Sequence, residues 1–135
     1  MKHFTELDAW KIGTELMQEV YRITKKLPFD EREGLAKQLR KSSRSVLANI
    51  AEGFGKHTDA DKANKYTIAR GECTETEAHL RMIVSLNFIT NSDAEHSLNL
   101  AMKMGRLTSG MIRRYRQPAS KSEPEPQPQP QPYIT

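Results

Sequence analysis

One stretch of the chain, from Leu35 to Lys56, has the pattern of a helix with two chemically different faces. Successive residues of an α-helix are rotated by about 100°, so residues spaced i, i+3, i+4 and i+7 share a face. One face is apolar or small, at Leu35, Leu39, Ser43, Val46, Ile50 and Gly53. The opposite face carries a basic stripe that consists of Lys37, Arg40, Lys41 and Arg44. The pattern predicts a helix that packs on one side and exposes positive charge on the other.

The basic stripe has two interpretations: a solvated helix surface, or a docking surface for a polyanion. Like charges four residues apart destabilise a helix by roughly 0.2–0.5 kcal/mol, so a stripe of one sign is unusual on a surface without a partner. The chain of 135 residues has a formal net charge of +4. This moderate excess of positive charge favours an acidic partner such as nucleic acid.

Three further segments have the apolar periodicity of helices. The predicted caps pair Thr5 with Asp8, Asp30 with Glu33 before the central helix, Thr58 with Asp61, and Ser92 with Glu95. Pro28 ends the first helix, and Gly55 suits a left-handed position after the central helix. The core positions predicted for the last two helices are Ala69, Cys73, Thr76, Leu80, Ile83 and Asn87, then Leu100, Met104, Leu107, Met111 and Tyr115. We predict an all-α protein, an antiparallel up-down-up-down four-helix bundle over residues 1–116.

Residues 117–135 differ in composition, because proline alternates there with glutamine and glutamate. Such a segment cannot bury enough apolar surface to fold, so we predict a disordered Pro/Gln-rich C-terminal tail. The chain has no apolar run of the length that spans a membrane, and its first residues lack the apolar run of a signal peptide. We therefore expect a cytoplasmic protein without a membrane partner.

The sequence does not contain a recognisable catalytic or metal-binding pattern. Gly53-Phe54-Gly55-Lys56 follows a helix rather than a strand and lacks the spacing of a phosphate-binding loop. Glu75 and His79 are four residues apart, whereas a di-iron bundle uses Glu-x-x-His from two helices. The single cysteine, Cys73, is interpreted as a small buried residue. We predict that the protein is not an enzyme and needs no cofactor and no metal.

Three other groups of residues have a functional and a structural interpretation. Lys103, Arg106 and Arg113 form a second basic group on the fourth helix, although cations near its end are also explained by the helix dipole. The acidic residues of the third helix, Glu72, Glu75 and Glu77, would neutralise basic neighbours. Asn49, Glu52 and Gly53 lie between the two faces of the central helix. In the structural interpretation, Asn49 bridges helices, Glu52 pairs with a cation and Gly53 permits a close helix crossing. In the functional interpretation, these residues contact a ligand.

The central stretch also resembles the signature of a known four-helix-bundle family. The matching residues are Glu33, Leu35, Gln38, Leu39, Arg40, Ser42, Ser45, Val46, Asn49, Ile50, Ala51, Glu52, Gly53, Phe54, Gly55 and Lys56. The family comprises proteins encoded in 23S rRNA intervening sequences, in a superfamily shared with accessory subunits of diversity-generating retroelement reverse transcriptases. The resemblance implies a non-enzymatic homo-oligomer, a pentameric ring. Glu72 and Thr76 depart from the small or serine residue and the leucine that the family usually has there.

The resemblance implies a protein that binds nucleic acid, RNA in particular, as an accessory factor to a reverse transcriptase or another RNA-handling partner. Arg40 and Lys56 lie within the matched motif. The other proposed nucleic-acid-binding residues rest on helix faces alone, namely Lys37, Lys41, Arg44, Lys103, Arg106 and Arg113. A scaffold without a nucleic-acid role is the alternative, with these cations paired to acids of the third helix or of a neighbouring subunit. A phage-encoded or toxin–antitoxin-like regulator is a third interpretation.

Overall fold

Four antiparallel helices make up most of residues 1–116, the part of the chain that this computed structural model describes. Their bounds are Asp8–Thr24 for α1, Lys37–Phe54 for α2, Asp59–Ser85 for α3 and Asn91–Tyr115 for α4. The tail predicted for 117–135 lies outside the described residues. Within residues 1–116, no helix has both the length and the apolarity needed to cross a membrane.

The helices form a closed square in which each packs against its neighbours in sequence and α1 also packs against α4. α2 and α4 therefore lie on one diagonal, and α1 and α3 on the other. The contacts of α3 with α2 and α4 are more extensive than those of α1 with its two neighbours. The predicted four-helix bundle is confirmed, and α3 has the most extensive packing of the four helices.

The core is formed by the helix faces that the periodicity predicts. Fully buried side chains come from every helix, including Leu16, Ile23, Leu39, Ile50, Leu80, Ile83 and Met104. The predicted core of α3 is buried from Ala69 to Ile83, but Asn87 lies beyond the helix in a left-handed conformation, with φ of 61°. Thr76 is a polar residue at one of these buried positions, and its hydroxyl lies at hydrogen-bond distance, 2.8 Å, from the hydroxyl of Ser42. A hydroxyl pair thus joins α2 to α3 inside the core.

The predicted helix ends are correct at one position and displaced at others. Thr58 caps α3, since its hydroxyl accepts from the Asp61 amide. For α4, the cap predicted at Ser92 and Glu95 is wrong, because Thr90 and Asp93 form the capping box. Ile89 is buried just before this cap. Its entry into the core fixes the point at which the chain can turn into the helix.

Two predicted helix starts are also wrong, whereas α2 ends at the predicted place but without the predicted left-handed glycine. α1 begins after Leu7 without a side-chain cap, while Thr5 lies in the 3-10 turn Phe4–Glu6. Before α2, Glu31 rather than Asp30 accepts an amide, from Leu35. The segment Arg32–Ala36 leads into the helix through a kink at Gly34, whose φ of −97° and ψ of −110° are not helical. At the end of α2, Gly55 has a right-handed conformation with φ of −79°.

Lys62 explains why α2 can end without a left-handed glycine. Its ammonium group donates to the carbonyl oxygens of Gly53 at 3.2 Å and Phe54 at 2.7 Å. A cation from α3 therefore satisfies carbonyls that a left-handed turn otherwise satisfies.

Candidate nucleic-acid interface

Two arginines of the basic stripe are engaged by α1. The Nε of Arg40 donates to the Thr24 hydroxyl at 2.8 Å, and its guanidinium carbon lies 4.8 Å from the centre of the Tyr21 ring. One turn later, Arg44 donates from Nη1 to the Tyr21 hydroxyl at 2.6 Å. These contacts attach α1 to α2, so part of the stripe has a structural role.

The two lysines of the stripe lie near carboxylates. Lys37 pairs with Glu33 on the preceding turn at 3.4 Å. Lys41 borders a small cavity together with Glu72 and Glu75 of α3. Partial burial and the neighbouring charge of Glu75 raise the pKa of Glu72, and the positive charge of Lys41 opposes this shift. The stripe is therefore a mixed surface rather than a free row of cations.

The second basic group lies elsewhere on the molecule. Lys103, Arg106 and Arg113 are exposed on α4, which is diagonally opposite α2. Lys56 is exposed in the connection between α2 and α3. The structure thus separates the predicted binding residues into at least two surfaces, and the basic stripe is not continuous with the group on α4.

A groove between α3 and α4, with a volume of about 580 Å³, collects the cations of the second surface. Arg106 and Arg113 line it from α4, and Arg70 lines it from α3. We call these three residues the arginine groove. Thr74 and Ser109 add hydroxyl groups to its walls. Three guanidinium groups and two hydroxyls from two helices thus face one channel.

The floor of the arginine groove is open because its residues are small. Ala101 and Gly105 line it, and a Cβ added at Gly105 would meet no atom within 4 Å. Seven residues separate Arg106 from Arg113, which is about 10 Å along the helix. The groove is therefore an elongated channel rather than a closed pocket.

The charge of the groove is not neutralised within the described part of the chain. None of its three guanidinium groups has an ion pair or side-chain hydrogen bond with another residue of 1–116. The one acidic residue in the lining, Glu77, is bound by the Nε of Arg81 at 2.9 Å. Guanidinium groups bind phosphate oxygens through paired hydrogen bonds, so this arrangement suits a phosphate-bearing ligand.

Arg70 was not predicted from the sequence. The apolar periodicity of α3 identifies Cys73 as buried, but it does not indicate which neighbouring helix packs on each side of the buried face. A signal was present, since Arg70, Thr74 and Glu77 follow helical spacing beside the seam. Only the position of α4 makes that flank part of a groove.

The family-motif residues have contacts inside the bundle. Asn49 donates to the Ser45 carbonyl at 2.9 Å within α2, so it does not bridge helices. Glu52 pairs with Lys65 of α3 at 2.9 Å, and this hydrogen bond lowers the pKa of Glu52. Gly53 lies against Tyr66, where an added Cβ would be only 2.5 Å from the ring. The last two contacts match the structural interpretation of the motif.

Groups with possible chemical reactivity are held in the core. Burial raises the pKa of Cys73 to about 12, so the thiol is protonated at neutral pH. The buried hydroxyls of Ser42 and Ser43 donate to carbonyls of their own helix. Among residues 1–116, no group of three His, Cys, Asp or Glu side chains is arranged to hold a metal ion.

Comparisons with known proteins place the chain in one family. The family model described as "23S rRNA-intervening sequence protein" matches residues 5–110, which include all of α1, α2 and α3 and most of α4. A similar solved structure is a protein with unknown function from the S23 ribosomal protein family of Bacteroides thetaiotaomicron. It has 27% identity and a TM-score of 0.71 over 78% of this chain and 98% of that chain. A comparison with curated proteins gave no match. Since the family model covers the whole central signature and most of the described bundle, the chain belongs to the 23S rRNA-intervening sequence protein family.

Proposed function

We propose that this protein is a non-enzymatic, homo-oligomeric nucleic-acid-binding protein of the cytoplasm that holds RNA in the arginine groove. The observation that carries the proposal is the convergence of Arg70, Arg106 and Arg113 on one channel, where none of them has a side-chain partner among residues 1–116. Basic groups that are not paired within the protein are available to replace the counterions of a phosphate backbone. Lys103 extends the basic surface of α4 beside the groove.

The basic stripe has a secondary role in this proposal. Arg40 and Arg44 donate hydrogen bonds to side chains of α1, and Lys41 lies near two carboxylates. Lys37, Lys41 and Lys56 supply long-range attraction for RNA, while the arginine groove supplies direct phosphate contacts. This division differs from the sequence-based hypothesis, which gave the stripe the leading part.

The test compares two variants with equal loss of charge. The groove variant is Arg70→Gln/Arg106→Gln/Arg113→Gln, and the matched stripe variant is Lys37→Gln/Lys41→Gln/Arg44→Gln. Binding of a labelled single-stranded RNA is measured by fluorescence anisotropy over a series of salt concentrations. For the groove variant, the slope of log K against log salt should fall by about 2 in magnitude, since each phosphate contact contributes about 0.7.

The stripe variant should keep most of that slope. An equal loss in both variants, or a loss in the stripe variant alone, contradicts the assignment to the groove. Circular dichroism of both variants controls for folding, which matters more for the stripe because Arg44 contacts α1.

An accessory role beside a reverse transcriptase or another RNA-handling protein is part of the same proposal. Its support is the resemblance of the central signature, together with membership of the family. In such a role, the bundle holds an RNA strand while the partner acts on it. Binding of several subunits to one strand would strengthen weak individual contacts through a high effective concentration.

A protein–protein scaffold is the second candidate, and a specific observation favours it. Ile68 and Met82 of α3, and Leu86 directly after this helix, have exposed fractions of 46%, 47% and 52%. Such residues are suited to a contact with another protein chain. An oligomer whose mass does not change when RNA is added would support this candidate over RNA binding.

A further inference from the structure

We propose that the corner between α1 and α2 is a stacking site for one unpaired nucleobase of single-stranded RNA, with Phe29 as its platform. This inference rests on the proposed function but concerns a different surface from the arginine groove. Its first observation is that Phe29 is 79% exposed, which makes it the most exposed large apolar side chain in residues 1–116. An aromatic ring in water is available to stack on a base, since every base has an apolar face.

The second observation is a cavity of about 350 Å³ beside the ring. Apolar atoms of Leu27, Pro28 and Ala36 form part of its lining, and Lys25, Arg32 and Arg40 add three cations. No acidic residue lines it. An apolar lining with cations around it matches a nucleotide, which combines a flat base with a charged phosphate.

The electrostatic arrangement around the ring also fits this ligand. The guanidinium carbon of Arg32 lies 5.8 Å from the centre of the Phe29 ring and so covers one part of the aromatic surface. Arg40 is held in place at the wall by its hydrogen bond to Thr24. Of the acidic residues next to Phe29, Glu31 accepts the Leu35 amide and Glu33 pairs with Lys37, whereas Asp30 makes no such contact within residues 1–116 and does not line the cavity. Lys25 and Arg32 have no ion pair within residues 1–116, so both are available for the phosphates that flank a stacked base.

The backbone presents Phe29 in a defined position. Pro28 fixes its own φ at −56° and precedes the 3-10 turn Phe29–Glu31. A kink at Gly34, whose φ of −97° and ψ of −110° are not helical, follows and leads the chain into α2. A preformed platform loses little conformational entropy on binding.

The ligand must be single-stranded, because the bases of a duplex are already stacked and paired. Specific recognition of RNA commonly uses splayed bases that stack on aromatic side chains. The corner would thus give the protein a preference for unpaired RNA, which a set of phosphate contacts alone does not give. A second copy of this chain is the competing occupant, and the test separates it.

The test measures fluorescence anisotropy with three labelled ligands of equal length: oligoadenylate, a duplex, and a single strand with abasic sites. Phe29→Ala should weaken binding of oligoadenylate by roughly 5- to 100-fold, the range measured for loss of one stacking platform. It should leave the affinities for the duplex and the abasic strand unchanged, since these ligands offer no free base. Phe29→Trp is the matched control at the same position and should retain the affinity for oligoadenylate.

A second readout uses the fluorescence of the Phe29→Trp variant. Oligoadenylate should quench the new tryptophan through stacking, whereas the wild-type protein, whose single tryptophan is Trp10, should show no quenching. Unchanged binding of oligoadenylate by Phe29→Ala overturns the inference, and a groove variant that still loses RNA affinity then leaves the proposed function standing. A drop in oligomer mass in Phe29→Ala, without a specific loss of single-strand affinity, assigns the ring to a subunit contact and also overturns the inference. Failure of the wild-type protein to bind any of the three ligands overturns both.

Discussion

At the scale of single residues, Gly53 sets how closely α2 can approach α3. A Cβ at this position would lie 2.5 Å from Cε1 and 2.9 Å from Cδ1 of Tyr66, whose side chain is buried. The ring cannot rotate away freely, because interiors are close-packed and Tyr66 also packs against Tyr115. The glycine is therefore required by space rather than by backbone conformation.

We expect Gly53→Ala to lower the free energy of unfolding by about 1–3 kcal/mol, the usual cost of overpacking a core. Gly55→Ala is the matched control two residues later. Its added Cβ would meet only carbonyl oxygens of its own helix, at 3.7 Å or more, and its φ is right-handed. Urea denaturation of both variants measures the difference, and equal stability would show that the Tyr66 ring adapts without cost.

The ionisation of Glu72 should make the stability of the protein depend on pH. Partial burial and the charge of Glu75 raise the pKa of Glu72 in the folded protein. A raised carboxyl pKa means that the folded state holds the proton more tightly than the unfolded state, so ionisation of Glu72 opposes folding. The protein should lose stability as pH rises from the ordinary glutamate pKa through the raised value.

Glu72→Gln removes this ionisation and should be more stable than the wild type at pH 7. The two proteins should converge in stability at about pH 3, roughly one unit below the ordinary glutamate pKa, where the wild-type side chain is protonated in both states. Thermal unfolding across this range provides the measurement, with Glu77→Gln as a control whose carboxylate is paired with Arg81. A stability gain that persists at low pH would have to come from something other than charge.

At the scale of helices, sequence periodicity was sufficient for the faces but not for the ends. The buried positions of α3 from Ala69 to Ile83 were predictable, because a core face must repeat every three or four residues. The start of α4 was not, since Thr90 with Asp93 and Ser92 with Glu95 both satisfy the capping pattern. The burial of Ile89 selects the first of these, and burial depends on the other helices.

The same limit applies to the candidate site. The basic stripe was visible in the sequence, but its attachment to α1 depends on Tyr21, which is 19 residues from Arg40 and 23 residues from Arg44. The hydroxyl of this tyrosine reaches Arg44 at the surface. Which residues contact a charged helix face depends on which helix packs beside it. The periodicity of a single helix does not carry this information.

At the scale of the whole molecule, the exposed apolar residues of α3 lead to a prediction about assembly. Ile68→Glu/Met82→Glu places two charges on this surface, and it should reduce the proposed homo-oligomer to a monomer of 15.4 kDa in light scattering. RNA affinity should fall with it by about 10²-fold, because linked sites reinforce one another. Gln18→Glu, which adds a charge to the exposed side of α1, should retain both properties.

A normal oligomer in Ile68→Glu/Met82→Glu would place the subunit contact elsewhere. A monomer that binds RNA with unchanged affinity would instead show that one bundle is sufficient for recognition. The variant therefore separates assembly from binding, which the charge-removal variants of the groove do not.

The position of Cys73 gives the protein a built-in chemical reporter. The only thiol of the chain lies between the two helices that carry Arg70 and Arg106, and it is 2% exposed. An alkylating reagent can reach the sulfur only when α3 and α4 separate, because the closed state offers neither access nor a thiolate. The rate at which Cys73 is alkylated therefore measures how often α3 and α4 separate. Bound RNA that holds the two helices together would lower this rate, and the measurement needs no dye, tag or mutation.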